Sequence, residues 1–351
     1  MAVVGHQQKG IPVMPNRAWA EPALRRMRFG RTVRAAQQFD DTSVWGSMAQ
    51  SQPNFEMRSA MDLGPAVGRR IAHRLTRSKG GVPSADESRS STFIDEREMT
   101  DALESLRAKG HYAFRRPVAP DRVARMREHA LTAPAQGRGS ALPARAYPID
   151  APEVGRYDID EEYTLSDPDM QDFCTDLALA RLASLYLERP VIQDQTALWW
   201  TNPVAERELS LNAMQFHQDR DRLLFLKFFV YLTDVGPENG PHTFIEGTHR
   251  QLPRHLRSDG RKTDEEIRAA GLGDRVVEHT GPAGTILAVD TIALHKGTVP
   301  KIGSRCVLQV EYATSLFGAV VEYPKITPSP LMRDRLSAQP AIFRRLIPTG
   351  S

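Results

Sequence analysis

The chain has 351 residues, enough for one large domain or two ordinary ones, and its 40% apolar share is low enough to point to a segment outside the core. Its two cysteines, Cys174 and Cys306, exclude a disulfide framework or a cysteine metal knuckle. Net charge is +3 but uneven: residues 1–90 carry 14 Lys+Arg against 7 Asp+Glu, and the remainder 32 against 36, so the body of the chain has no nucleic-acid footprint.

The cysteine usage predicts a reducing, cytoplasmic setting. No apolar run reaches the ~18–20 residues that a bilayer span needs, and the first residues lack the pattern of a secretory signal. Residues 1–90 read as a basic, partly ordered N-terminal extension. "PALRRMRFGRTVRAAQQF" and "GRRIAHRLTRSKGG" have helical periodicity and lie among Pro, Gly, Ser and Gln. The plain interpretation is an arm of solvated arginines; the alternative is an Arg-rich face for an acidic partner or a membrane surface.

The domain is expected over 91–325, with order beginning near residue 94. "IDEREMTDALESLRAKGHYAF" reads as a helix with a capping box at Asp95 and Glu98 and a stop at Gly110, followed by a strand through Tyr112 and Phe114. "APDRVARMREHAL" is a second helix, and 134–165 is rich in loops. "SDPDMQDFCTDLALARLASLYLERP" reads as one long helix, opened by Ser166 with Asp169 and ended by Pro190.

After Pro190 the texture changes. "VIQDQTALWW", "LLFLKFFVYLTDV", "HTFIEG", "RVVEHT", "TILAVD" and "RCVLQVEYA" are short and rich in β-branched and aromatic residues, with turn signals such as "ENGP" and "GPAG" between them. One helix interrupts, "TDEEIRAAG", with Thr263 and Glu266 as its capping box. Residues 326–351 form a C-terminal helix or tail. Helices first and strands later predict an α+β chain, a β-sandwich or open barrel backed by helices.

The strand region carries the chemistry. In "FHQD", His217 and Asp219 are two apart, so an extended backbone points both to one face. An imidazole and a carboxylate are two thirds of the facial triad that holds non-haem Fe(II). His242, His249, His255, His279 and His295 compete for the third position. "GTILAVDTIALHKGTVP" favours His295, which follows an apolar strand and a short turn and has Gly297 beside it. On "RCVLQVEYA", Arg305, Val307, Gln309 and Glu311 share one face. If that face lines a barrel interior, its polar groups need partners, and a dicarboxylate cosubstrate supplies one for the Arg305 fork. Lys227 shares a face with Phe225, Phe229 and Tyr231; it either snorkels outward or meets a carboxylate in the cavity. Of Trp199 and Trp200, only one can face inward.

These residues in this order, "FHQD", "LKFFVYLTDVGPENGPHTFIEGTHR", "ALHKG" and Arg305, resemble the phytanoyl-CoA dioxygenase family over roughly residues 94–325. The resemblance implies a double-stranded β-helix (jelly-roll, cupin-like) core and an Fe(II)- and 2-oxoglutarate-dependent dioxygenase that consumes O2. It implies His217, Asp219 and His295 on iron and Arg305 on the far carboxylate of 2-oxoglutarate, with Gln195 beside the cosubstrate. Phe216 stands where the family often has Trp, and Thr201 where some members have a cosubstrate-binding Lys. Halogenating relatives replace the metal carboxylate, so Asp219 implies hydroxylation or a related oxidation of a small-molecule substrate rather than halogenation. The family's acyl-CoA esters, amino-acid derivatives and secondary metabolites include carrier- and CoA-linked molecules. The competing expectation is a catalytically silent or 2-oxoglutarate-independent metal-binding barrel that serves as an interaction module.

Overall fold

The structure is a computed structural model that describes residues 64–75, 80–203, 214–220, 222–317 and 323–347. The first of the two basic segments singled out in the extension lies outside these residues. The second contributes helix α1 (Pro65–Leu75), followed by a one-turn helix α2 (Ala85–Ser88). Ala72 of α1 sits in the main core and Arg69 Nη1 donates to Tyr186 Oη at 3.1 Å, so ordered structure begins well before residue 94.

Helix α3 (Glu96–Ala108) starts at Asp95, whose side chain accepts from the Arg97 amide. The expected reciprocal box is not formed. Glu98 turns instead to Tyr112 Oη, at 2.7 Å, and to the Arg115 amide, at 2.8 Å, because those donors in and after β1 (His111–Ala113) lie over the helix. Gly110 ends the helix at φ +95°; a side chain there would also meet His249 Nδ1 at 2.6 Å, so glycine is required twice over. Helix α4 (Pro120–Thr132) has Pro at its first turn.

The stretch 134–165, expected as loop, contains β2 (Ala135–Gly137), β3 (Arg156–Ile159) and the short helix α5 (Glu161–Thr164). The single long helix expected after it is two. Helix α6 (Pro168–Cys174) is capped by Asp167 rather than Ser166, and α7 (Leu177–Leu187) by Asp176, which accepts from the amides of Ala178 and Leu179. A buried cap carboxylate restarts the helix because it satisfies amides that would otherwise point at earlier carbonyls.

The strands expected from composition follow: β4 (Ile192–Thr201), β5 (Phe225–Tyr231), β6 (His242–Ile245), then helix α8 (Asp264–Ala269) with its Thr263–Glu266 box in place, β7 (Val276–His279) and β8 (Ile286–Val289); a three-residue strand not expected from the sequence, β9 (His295–Gly297), precedes the expected β10 (Arg305–Ala313). Helices α9 (Pro330–Ala338) and α10 (Pro340–Phe343) follow, and Ile342, Phe343 and Leu346 bury into the main core.

All pairings are antiparallel, in a seven-stranded sheet ordered β1–β8–β5–β10–β4–β3–β2 and a three-stranded sheet ordered β7–β6–β9. This is the double-stranded β-helix. The two faces of the large sheet do different work. Cys306, Leu308, Val310 and Tyr312 join Trp200, Phe228 and Val230 in the core beneath the helices. Val307 joins Trp199, Phe229, Tyr231, Leu287 and Val289 in the space between the sheets, where Phe244 comes from the small sheet. Each large apolar side chain fully buried this way stabilises the fold by about 1.5–3 kcal/mol. Among the described residues no helix is long and apolar enough to cross a membrane.

Candidate active site

The inner face of the large sheet is apolar at mid-height and polar at both ends. Register sets this out. Arg156, Thr201 and Arg305 pair across β3, β4 and β10; Lys227 of β5 pairs with Glu311 of β10 at the other end. A cavity of about 270 Å³ opens over this face, lined among others by Gln195, Trp199, His217, Asp219, Lys227 and Arg305.

His217 and Asp219 lie in an extended segment beside β9. His217 exchanges backbone hydrogen bonds with His295, each 3.0 Å long, and the Asp219 amide donates to Thr291 O at 2.8 Å. The intervening Gln218 turns away and donates to Ile292 O. The two histidine rings come within 4.3 Å centroid to centroid. His217 Nε2 lies 3.4 Å from Asp219 Oδ1, and His295 Nε2 lies 3.5 Å from Asp219 Oδ2. Among the described residues, these three side chains form a cluster that could hold a metal ion, with ligand atoms all within 4.8 Å of one another.

Local hydrogen bonds orient the rings. His217 Nδ1 lies 2.9 Å from Gln215 O, and His295 Nδ1 lies 3.0 Å from Ala293 O. A ring that donates from Nδ1 to a carbonyl keeps the Nε2 lone pair for a metal. Burial, and then the nearby His217, push His295 down to about 3, so it is neutral as a ligand must be. Burial works against the Asp219 charge, but Lys227, His295 and His217 outweigh it and hold the carboxyl well below its ordinary value. Lys227 points into the cavity rather than snorkelling out. Its Nζ donates to Asp219 Oδ2 at 2.7 Å and lies 3.2 Å from Glu311 Oε2.

Arg305 is buried on the same cavity, and its Nε and Nη1 have no hydrogen-bond partner, nor has the Thr201 hydroxyl on the adjacent strand. Loss of hydration pulls the Arg305 pKa below its usual value. Gly297 has a direct role here, since a Cβ would stand 2.9 Å from Arg305 Nη2. Gln195 is an exposed residue at the cavity edge, where its Oε1 accepts from Gln309 Nε2 at 3.4 Å. His242 lines the cavity with its ring 5.6 Å from that of His295, and burial holds it well below the usual imidazole value. His279 stacks beyond His242, His249 contacts Arg107 O, and His255 is exposed, so none of these joins the cluster. Trp199 faces the cavity, and Trp200 faces the helices and donates to Ala130 O. Composition gives no warning of Arg138, Arg156 and Asp158, because the Pro and Gly residues scattered around them read as loop. The alternation in "RYDI", with Arg156 and Asp158 on one side and Tyr157 and Ile159 on the other, is the signal that marks them.

Three convergent ligand atoms, two imidazoles whose Nδ1 atoms each face a backbone carbonyl and an anionic carboxylate fit a divalent ion. The unpartnered buried guanidinium edge of Arg305 fits a carboxylate at the far side of the same space.

Residues 106–298 match the phytanoyl-CoA dioxygenase (PhyH) family. No curated protein matches the chain. Among solved structures, AviO1 from Streptomyces viridochromogenes Tue57 is 20% identical over 64% of this chain and 96% of its own, with a TM-score of 0.42. EctD from S. alaskensis with bound Fe is 18% identical over 78% and 96%, with a TM-score of 0.44. The epimerase SnoN in complex with Fe3+, alpha ketoglutarate and nogalamycin RO is 17% identical over 62% and 84%, also at 0.44.

Proposed function

This chain belongs to the phytanoyl-CoA dioxygenase family, and on that premise we propose that it is an Fe(II)- and 2-oxoglutarate-dependent dioxygenase that hydroxylates a small-molecule substrate. The observation that carries the proposal is Arg305, a buried guanidinium with Nε and Nη1 unpartnered, on the cavity where His217, Asp219 and His295 converge. An unpartnered buried charge is expensive, and a cosubstrate carboxylate removes that cost.

In this reading His217, Asp219 and His295 would hold the iron at the cavity. Iron held there would supply the activation of O2, coupled to oxidative decarboxylation of 2-oxoglutarate to succinate and CO2. The chain supplies placement. Arg305 fixes the distal carboxylate of 2-oxoglutarate, with the Thr201 hydroxyl beside it as a further donor. Lys227 holds Asp219 Oδ2, which fixes the plane of the carboxylate that would hold the metal with His217 and His295. Phe229, Trp199 and Val307 keep the middle of the cavity dry, which strengthens every charge interaction inside it. Asp219, as a carboxylate, supports hydroxylation over halogenation, because it fills the position that a halide needs. Gln195 lines the cavity at the end of β4 that pairs with Glu311, opposite Arg305.

The test is iron-dependent release of succinate from 2-oxoglutarate. The wild-type protein is expected to show it even without substrate, slowly, and to be accelerated by the right substrate. Asp219→Ala is expected to lose metal binding and turnover together. Arg305→Ala is expected to raise the 2-oxoglutarate KM by at least about tenfold, the worth of a charge-assisted hydrogen bond. Iron binding without any 2-oxoglutarate consumption would defeat the proposal.

A further inference from the structure

The residues assigned so far leave one corner of the cavity without a task. Arg156 on β3 and Arg138, just after β2, both line it. Both guanidinium groups converge on Asp158. Arg138 donates to it twice, from Nε at 2.9 Å and from Nη2 at 3.0 Å, and Arg156 donates once, from Nε at 2.7 Å. Among the described residues no second carboxylate reaches either arginine, and the two terminal nitrogens of Arg156 have no hydrogen-bond partner. The Arg156 side chain is 15% exposed, and its guanidinium lies 4.3 Å over the Trp199 ring. Burial lowers its pKa to about 10, so it keeps its charge at neutral pH.

Charge elsewhere in the cavity balances. A divalent ion, Asp219, a dianionic keto acid and Arg305 together sum to zero, and Lys227 is matched by Glu311. The Arg138–Arg156–Asp158 corner keeps one positive charge in a partly dry space. A ligand anion is the ordinary remedy, and a guanidinium edge is built for carboxylate or phosphate oxygens. The indole face holds Arg156 by stacking, which leaves its edge for hydrogen bonds. Arg156 is two strands from Arg305, about 10 Å at the usual strand spacing, so one carboxylate need not serve both.

We propose that Arg138 and Arg156, braced by Asp158 and Trp199, form a subsite for an anionic group on the substrate, a carboxylate or a phosphate. This rests on the oxygenase reading of the same cavity.

The experiment is calorimetric titration of the full chain, loaded with Ni(II) in place of iron and with 2-oxoglutarate, using octanoate, octyl phosphate and octanol as probes. At least one anion is expected to bind about tenfold or more tightly than octanol, and the order of the two anions tells carboxylate from phosphate. Arg156→Gln and Arg138→Gln are each expected to abolish the preference while 2-oxoglutarate affinity stays within about twofold, which also reports that the variants are folded. Arg156→Lys, which keeps the charge but not the fork, is expected to restore only part of it. Equal binding of octanol and the anions overturns the proposal, as does no binding of either anion, or loss of 2-oxoglutarate affinity in Arg156→Gln. Failure of the oxygenase reading looks different: wild-type protein would then bind no 2-oxoglutarate in a Ni(II)-dependent way.

Discussion

Lys227 is the residue whose surroundings most sharpen the chemistry. A lysine in the middle of "LLFLKFFVYL" looks misplaced, yet it is the group that donates to Asp219 Oδ2 at 2.7 Å. Groups that orient a metal ligand from behind typically matter by ten- to hundredfold in affinity. Lys227→Met is therefore expected to weaken Ni(II) binding by about tenfold or more, measured by calorimetry, with Lys227→Arg recovering part of the loss. Unchanged affinity would mean that Asp219 is fixed by its backbone alone. Gly297 offers a second check at this scale. Gly297→Ala is expected to displace the Arg305 head and weaken 2-oxoglutarate binding without touching metal affinity, because the added carbon would stand 2.9 Å from Arg305 Nη2.

At the scale of single elements, the strands were legible because their patterns are strong. β10 shows period two over nine residues, with its oily side under the helices and its polar side on the cavity. The shorter pieces were not legible. β2 has three residues and β3 has four, too few for periodicity to separate them from a loop, and so Arg138 and Arg156 went unseen. The break between α6 and α7 was hidden because Cys174 to Asp176 interrupts an apolar stripe that continues on both sides. His217 and Asp219 were legible because spacing in an extended segment is nearly geometry; Lys227 left two readings open, because sequence fixes the side of a strand and not the partner across it. The β6–β7 pair carries a pH signature. His279 is held neutral, down to about 3, by burial and then by His111, whereas an unfolded histidine titrates near 6.5. The native state binds fewer protons, so this contribution is complete above about pH 6.5 and erodes as pH falls toward 3. Near pH 5 it amounts to about 2 kcal/mol of lost stability, and His279→Gln is expected to flatten the urea-midpoint profile across that interval.

For the whole molecule, the helical layer is as much a part of the barrel as the strands. Helix α1 places Ala72 in the main core and Arg69 against Tyr186, whose hydroxyl in turn donates to Asp290 at 2.5 Å, just after β8. Deleting residues 1–90 removes α1 and α2 and is expected to lower the thermal midpoint by several degrees or more, measured by the loss of far-ultraviolet ellipticity. An unchanged midpoint would return these helices to the status of an appendage. β10 ties this architecture to chemistry. Arg305 and Glu311 stand on the same face of it, six residues apart, at opposite ends of the cavity. Sliding that strand by one position would drive both charges into the oil beneath the helices and hang Cys306 and Leu308 over the cavity. Register therefore sets the aim of Arg305 before any ligand arrives: the same pairing that buries the oily side of β10 turns its guanidinium to the cavity.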